Sequence, residues 1–144
     1  MGVHGGIPRP WNNNCPYDYI PSLGALELES SVDVYKVPLL NNMLWSDPSQ
    51  GNLGSISDKR RFNTYRRHFE AFSSRFGITT LIRGHEVVES GHLAIYDKGV
   101  HTIFSSGYGS KDSAYHQEVK SPKILKLSSN DLEEVELHYK SDSL

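Results

Sequence analysis

Tyr65, Phe69, Phe72 and Phe76 share one face of a helical repeat, and Arg66, Arg67, Glu70 and Ser74 lie opposite. That pattern predicts an amphipathic surface helix, with Thr64 placed to cap its start and Gly77 to end it. His68 falls on the polar side and is expected at the surface. The β-branched run from Ile78 to Ile82 follows at once and predicts a short buried strand. Leu93 to Tyr96 and Val100 to Phe104 flank Asp97-Lys98-Gly99, a hairpin whose glycine is expected to take the positive φ. Pro122 to Leu127 and Leu132 to Tyr139 flank Ser128-Ser129-Asn130-Asp131. In the second of these, Val135, Leu137 and Tyr139 alternate with Glu134, Glu136 and His138, as in a half-buried strand with His138 facing solvent.

The N-terminal half is patterned less clearly. Pro8 to Pro21 is dense in turn formers and reads as a loop. Ser22 to Lys36 is compatible with a short helix or a strand. Leu39 to Trp45 is a compact apolar stretch, and a turn is expected at Ser46-Asp47-Pro48 because proline disfavours helix in the residue before it. Ser49 to Ser57 reads as a glycine- and serine-rich loop. The whole therefore predicts an α/β (α+β) chain with one strong helix, followed mainly by strands.

Composition narrows the class without naming a function. The chain has 144 residues, which predicts a single domain, 1–144, able to bury a core without disulfides. Fifteen Lys+Arg against seventeen Asp+Glu give a net charge of -2, so no broad basic field for nucleic acid or an anionic membrane is expected. No apolar run is long enough for a membrane span, and no signal peptide opens the chain. The lone Cys15 fits a reducing compartment, so the expected location is cytoplasmic or nuclear.

Seven histidines are the richest source of candidate chemistry. His92, His101 and His116 sit in or beside the hairpin, but no carboxylate or cysteine completes a zinc-ligand spacing around them. His4 and His85 differ in their neighbours. Each follows a short strand-like stretch and is flanked by glycine, as in His4-Gly5-Gly6 and Gly84-His85. A side chain at a strand end is held rigidly, and the glycine lets another group approach the backbone. Neutral imidazoles so placed suit Mn, Fe or Zn, although spacing alone favours two unrelated loop histidines. Lys59-Arg60-Arg61 could clamp a phosphate through a guanidinium or form a solvated basic face. Tyr108, in Ser105-Ser106-Gly107-Tyr108-Gly109, could present its hydroxyl to a substrate or pack in an ordinary turn.

Taken in order, these elements carry a resemblance. Val3-His4-Gly5-Gly6-Ile7, Met43-Leu44-Trp45-Ser46-Asp47-Pro48, Leu81-Ile82-Arg83-Gly84-His85-Glu86-Val87-Val88 and Val100 to Tyr108 resemble successive segments of the phosphoprotein phosphatase family. These are metal-dependent serine/threonine protein phosphatases. The resemblance implies a calcineurin-like metallophosphoesterase sandwich, here incomplete and mostly its second sheet. It also implies a phosphoprotein substrate and a regulatory subunit. The family's centre holds two divalent metals that support in-line attack of water on phosphorus.

By the same resemblance, His4 and His85 would be ligands of one metal, and Tyr108 and either Arg60 or Arg61 would bind the phosphoryl group. The family's Asp-Arg-Gly-Val pattern is altered around the arginines, and its Pro-Asn-Tyr reads Ser106-Gly107-Tyr108 here. The Asp-x-His-Gly, Gly-Asp-x-x-Asp-Arg-Gly and Gly-Asn-His-Glu elements would precede His4 in the family. The expectation is therefore the C-terminal part of a phosphatase catalytic domain, with at most one partial metal site and no activity in isolation. The alternative is a non-catalytic phosphatase-like interaction module.

Overall fold

A computed structural model describes residues 1–10, 17–26, 33, 36–51, 62–106, 115, 118–129 and 131–138. They belong to two compact units, Met1–Leu81 and Ile82–Leu144. Among the described residues, no helix is long and apolar enough to cross a membrane.

The first unit contains β1 (Gly2–Val3), a 3₁₀ turn (Leu23–Leu26), α1 (Pro38–Trp45), β2 (Ser46–Pro48), β3 (Phe62–Thr64) and α2 (Arg66–Phe76). Pro38 opens α1, where its fixed φ suits a first helical turn and its missing N–H costs nothing. No turn follows at Ser46-Asp47-Pro48, contrary to the sequence expectation. The chain passes directly into β2, which pairs parallel with β3 in the register Ser46↔Phe62, Asp47↔Asn63 and Pro48↔Thr64. The extended backbone that Pro48 imposes on Asp47 serves a strand as well as a turn.

Helix α2 lies where the apolar stripe placed it, with its start shifted. Thr64 ends β3 and is buried, and Tyr65 is the N-cap. Tyr65 N–H donates to His68 Nδ1 at 3.2 Å, so this histidine fills the role that Glu or Gln plays in a capping box. Gly77 ends the helix at φ +67, and the N–H groups of Gly77 and Ile78 both reach Ser73 O, at 2.8 and 3.2 Å. Phe69 and Phe72 enter the core, and the turn-rich loop contributes to it as well. Tyr17 and Ile20 are each 1% exposed, and the Tyr17 ring meets Phe72 edge-on at 5.2 Å. Arg75 Nη2 ties that loop to the helix through Ile20 O at 3.4 Å.

His68 corrects the surface expectation. It is 6% exposed, because Phe62 of β3 lies over its ring at 6.1 Å and Tyr65 packs edge-on at 5.6 Å. A helical wheel could not anticipate the strand folding back over that face.

β4 (Leu81–Arg83) crosses the boundary between the units, and its last two residues belong to the second. There β4, β6 (Val100–Ile103) and β5 (His92–Ile95) lie side by side. β5 and β6 form the expected antiparallel hairpin, from His92↔Ile103 to Ile95↔Val100. Its loop is built differently, since Tyr96, Asp97 and Lys98 carry the positive φ values, 55°, 54° and 65°, and Gly99 does not. The side chain of His101 reaches back to Lys98 O at 2.8 Å and braces this loop. β7 (Lys123–Leu127) and β8 (Leu132–Glu136) form the second hairpin, with Ile124 opposite Val135. Leu137 and Val135 are half-buried and His138 is exposed, as the alternation predicted. Val100 and Val119 are buried within this unit.

Candidate functional site

In the first unit, two of the singled-out segments are locked together. Gly6 N–H donates to Met43 O at 2.8 Å, and Ser46 Oγ donates to Ile7 O at 2.9 Å. A Cβ at Gly5 would lie 2.4 Å from Leu44 O and 2.5 Å from Met43 O; one at Gly6 would lie 2.6 Å from Ser46 Oγ. At Gly5 the clash is with backbone, so glycine there is a requirement of chain against chain, whereas at Gly6 the nearest atom belongs to the Ser46 side chain and the Ser46 carbonyl oxygen lies at 3.1 Å. His4 projects at the exposed edge of this junction, while Asp47 of the same junction is 6% exposed.

In the second unit, His85 follows β4 and has φ +72, a left-handed conformation uncommon for a residue with a side chain. Glu86 N–H donates to Gly84 O at 2.9 Å, closing a three-residue turn around it. Its Nε2 is buried. Arg83, two residues earlier, is 1% exposed. Its Nη1 donates to Glu86 Oε2 and, at 3.2 Å, to Thr102 Oγ1 of β6. In the sequence, Arg83 is one residue of the segment from Leu81 to Val88, with no role of its own. Alternation with buried Leu81 was the available signal, because residues two apart on a strand face the same side.

A second polar cluster lies in the hairpins of this unit. Glu134 Oε1 is 2.7 Å from His92 Nδ1, and Glu134 Oε2 accepts from Lys123 Nζ at 2.7 Å. Lys123 first, and His92 after it, hold the Glu134 carboxyl below its ordinary range. The other nitrogen of His92 faces His101 at 2.9 Å. Burial is the main cause that holds His101 below the ordinary histidine value.

His4 belongs to the first unit and His85 to the second. Arg60, Arg61, Tyr108 and His116 lie outside the described residues. His85 offers what a borderline metal takes, a buried imidazole nitrogen on a constrained backbone. Among the described residues, however, no group of three or more His, Cys, Asp or Glu side chains could hold a metal ion. The fit is that of a ligand donor, and the described residues do not make up a complete centre.

Comparison with known proteins gives these segments a context. The chain is 31% identical over 106 residues to a protein of Encephalitozoon cuniculi named "Probable serine/threonine-protein phosphatase". That match covers 72% of this chain and 21% of the relative. The fold is similar to the structure of a protein serine/threonine phosphatase from Saccharomyces cerevisiae with similarity to human phosphatase PP5. The TM-score is 0.66 at 18% identity, covering 98% of this chain and 45% of that one. The chain thus spans less than half the length of either protein. No family model matches it. The fold is the mixed α/β arrangement of these phosphatases, and the family is metal-dependent as a whole. By sequence and by fold, the chain belongs to the phosphoprotein phosphatase family of serine/threonine protein phosphatases.

Proposed function

We propose that this chain supplies one part of the catalytic domain of a phosphatase acting on phosphoserine and phosphothreonine in proteins. The observation that carries the reading is the locked junction of His4-Gly5-Gly6-Ile7 with Met43 to Ser46. Close backbone packing there makes a rigid mount for His4, beyond what a surface loop needs. His4 and His85 would each donate an imidazole nitrogen to one divalent metal, Mn, Fe or Zn, of a pair. Bound metals supply Lewis-acid stabilisation of the charge that develops on the phosphoryl oxygens. Arg60 or Arg61 would hold the phosphoryl group by paired hydrogen bonds, and the Tyr108 hydroxyl would orient it. A cytoplasmic or nuclear location and a regulatory subunit belong to the same reading.

Two imidazoles are too few for a metal site of ordinary affinity, so the isolated chain should not turn over. The test is Mn²⁺-dependent hydrolysis of a phosphoserine peptide, by the chain alone and with a polypeptide carrying Asp-x-His-Gly, Gly-Asp-x-x-Asp-Arg-Gly and Gly-Asn-His-Glu. Hydrolysis only in the mixture, abolished by His85→Ala, is the expected result. Binding between the two without hydrolysis would instead establish an interaction module.

A further inference from the structure

The left-handed backbone of His85 has to be held by something. A side chain at positive φ costs free energy and persists only where its surroundings determine it several times over. At His85 two determinants span the same turn. Glu86 N–H closes the turn on Gly84 O at 2.9 Å, and the Glu86 carboxylate is ion-paired to Arg83 across the turn. The Arg83 side chain is fully buried and Glu86 is 40% exposed. The guanidinium is also fastened to Thr102 Oγ1 at 3.2 Å, and Thr102 is 2% exposed on β6. A buried guanidinium left with one partner fewer is strongly destabilised, so this anchor resists rearrangement. The turn is thus stapled at both ends to the sheet of its own unit.

We infer that the Arg83–Glu86 pair is the positioning device for His85, locking its backbone in the left-handed turn and thereby setting the direction of the imidazole. Neither residue needs to touch metal or substrate. Arg83 acts from the strand, Glu86 from the far side of the turn, and His85 is carried between them. What the imidazole then holds rests on the phosphatase reading above; the staple itself does not.

The test uses the full chain labelled for NMR, with Glu86→Gln and Glu86→Ala. Gln keeps an acceptor oxygen within reach of Arg83 and loses only the charge, so it serves if the Ala variant fails to fold. Without metal, hydrogen exchange at the residue-86 amide should rise about tenfold or more in Ala and less in Gln. The His85 backbone resonances should move with it, while those of the β7–β8 hairpin stay in place. In a Zn²⁺ titration, the concentration that shifts the His85 ring resonances should rise by about tenfold, as for other groups that orient a ligand. Unchanged exchange and unchanged His85 resonances in both variants would overturn the proposal. A faster residue-86 amide with a His85 ring indifferent to Zn²⁺ in every protein would uphold the staple and remove the metal reading.

Discussion

His92 Nε2 lies 2.9 Å from His101 Nδ1, with the two ring planes 4° from parallel. The outer nitrogens face groups that only accept, the Glu134 carboxylate at 2.7 Å and the Lys98 carbonyl at 2.8 Å. All three contacts can be hydrogen bonds only if the two rings together hold three protons. Two protons leave one contact without a hydrogen, and a fourth sets two N–H groups against each other. Lys123, Glu134 and the Lys98 ammonium are charged groups around the pair. The folded state therefore resists a second charge, in line with the lowered value of His101, for which burial is the first cause.

Because His101 is depressed in the fold, the unfolded chain takes up its proton first on acidification. Stability from this site is complete above the ordinary histidine value and is lost as the pH falls through the folded one. A ¹H–¹⁵N titration of the ring nitrogens from pH 8 to pH 4 should place His101 below the ordinary histidine midpoint of about 6.5. An ordinary midpoint there would contradict the depression of His101 by burial.

His68 is depressed in the fold as well. Burial, and the Arg67 charge after it, push it down to about 4. The unfolded chain again protonates first, so stability should fall between pH 6.5 and about 4. The expected loss at pH 5 is about 2 kcal/mol, since one pKa unit corresponds to about 1.4 kcal/mol. Urea unfolding at pH 7 and pH 5 measures it. His68→Gln, which can still accept from Tyr65 N–H, should flatten that dependence.

The Tyr17 hydroxyl is buried and finds no hydrogen-bond partner among the described residues. Burial, with Tyr19 a lesser cause, drives its ionisation far above the ordinary tyrosine range. Removing a buried, unsatisfied hydroxyl removes its desolvation cost. Tyr17→Phe should leave stability unchanged or raise it by about 1 kcal/mol. A loss beyond about 1 kcal/mol in thermal or urea unfolding would show that the hydroxyl has a partner.

Gly5→Ala would push a methyl group into the backbone carbonyls of Met43 and Leu44. Overpacking against main chain should cost about 2 kcal/mol or more. Gly2→Ala is the matched control, because a Cβ there meets nothing within 4 Å. It should change stability by no more than about 0.5 kcal/mol. Equal effects at the two positions in a urea series would contradict the locked junction.

Hydrophobic spacing alone found α2, the β5–β6 hairpin and the alternation of β8, because each writes its period into local sequence; the strand expected over Ile78 to Ile82 forms at Leu81–Arg83 instead. The same reading misplaced Thr64, Gly99 and His68, and each error has a tertiary cause. Thr64 was taken into β3 by pairing with Pro48 of β2. The bend of the hairpin fell on Tyr96, Asp97 and Lys98, where the His101 ring holds the loop carbonyl. His68 was covered by Phe62. Motif order brought out His4 and His85 but passed over Arg83, since a buried arginine on a strand looks like any other charge until its neighbours are known.

What the sequence determined by itself was periodic or ordered along the chain: the amphipathic helix, the alternating strands, and the succession of segments that places the chain in its family. What only the tertiary structure decided was which polar groups leave water, because burial depends on the elements that fold over a residue rather than on its neighbours in sequence. Gly5 became obligatory when the end of α1 came against it. His85 acquired its left-handed turn within a staple anchored to Thr102, far along the chain on another strand. Those constraints come from hydrogen bonds and excluded volume between segments distant in sequence, which no local pattern encodes.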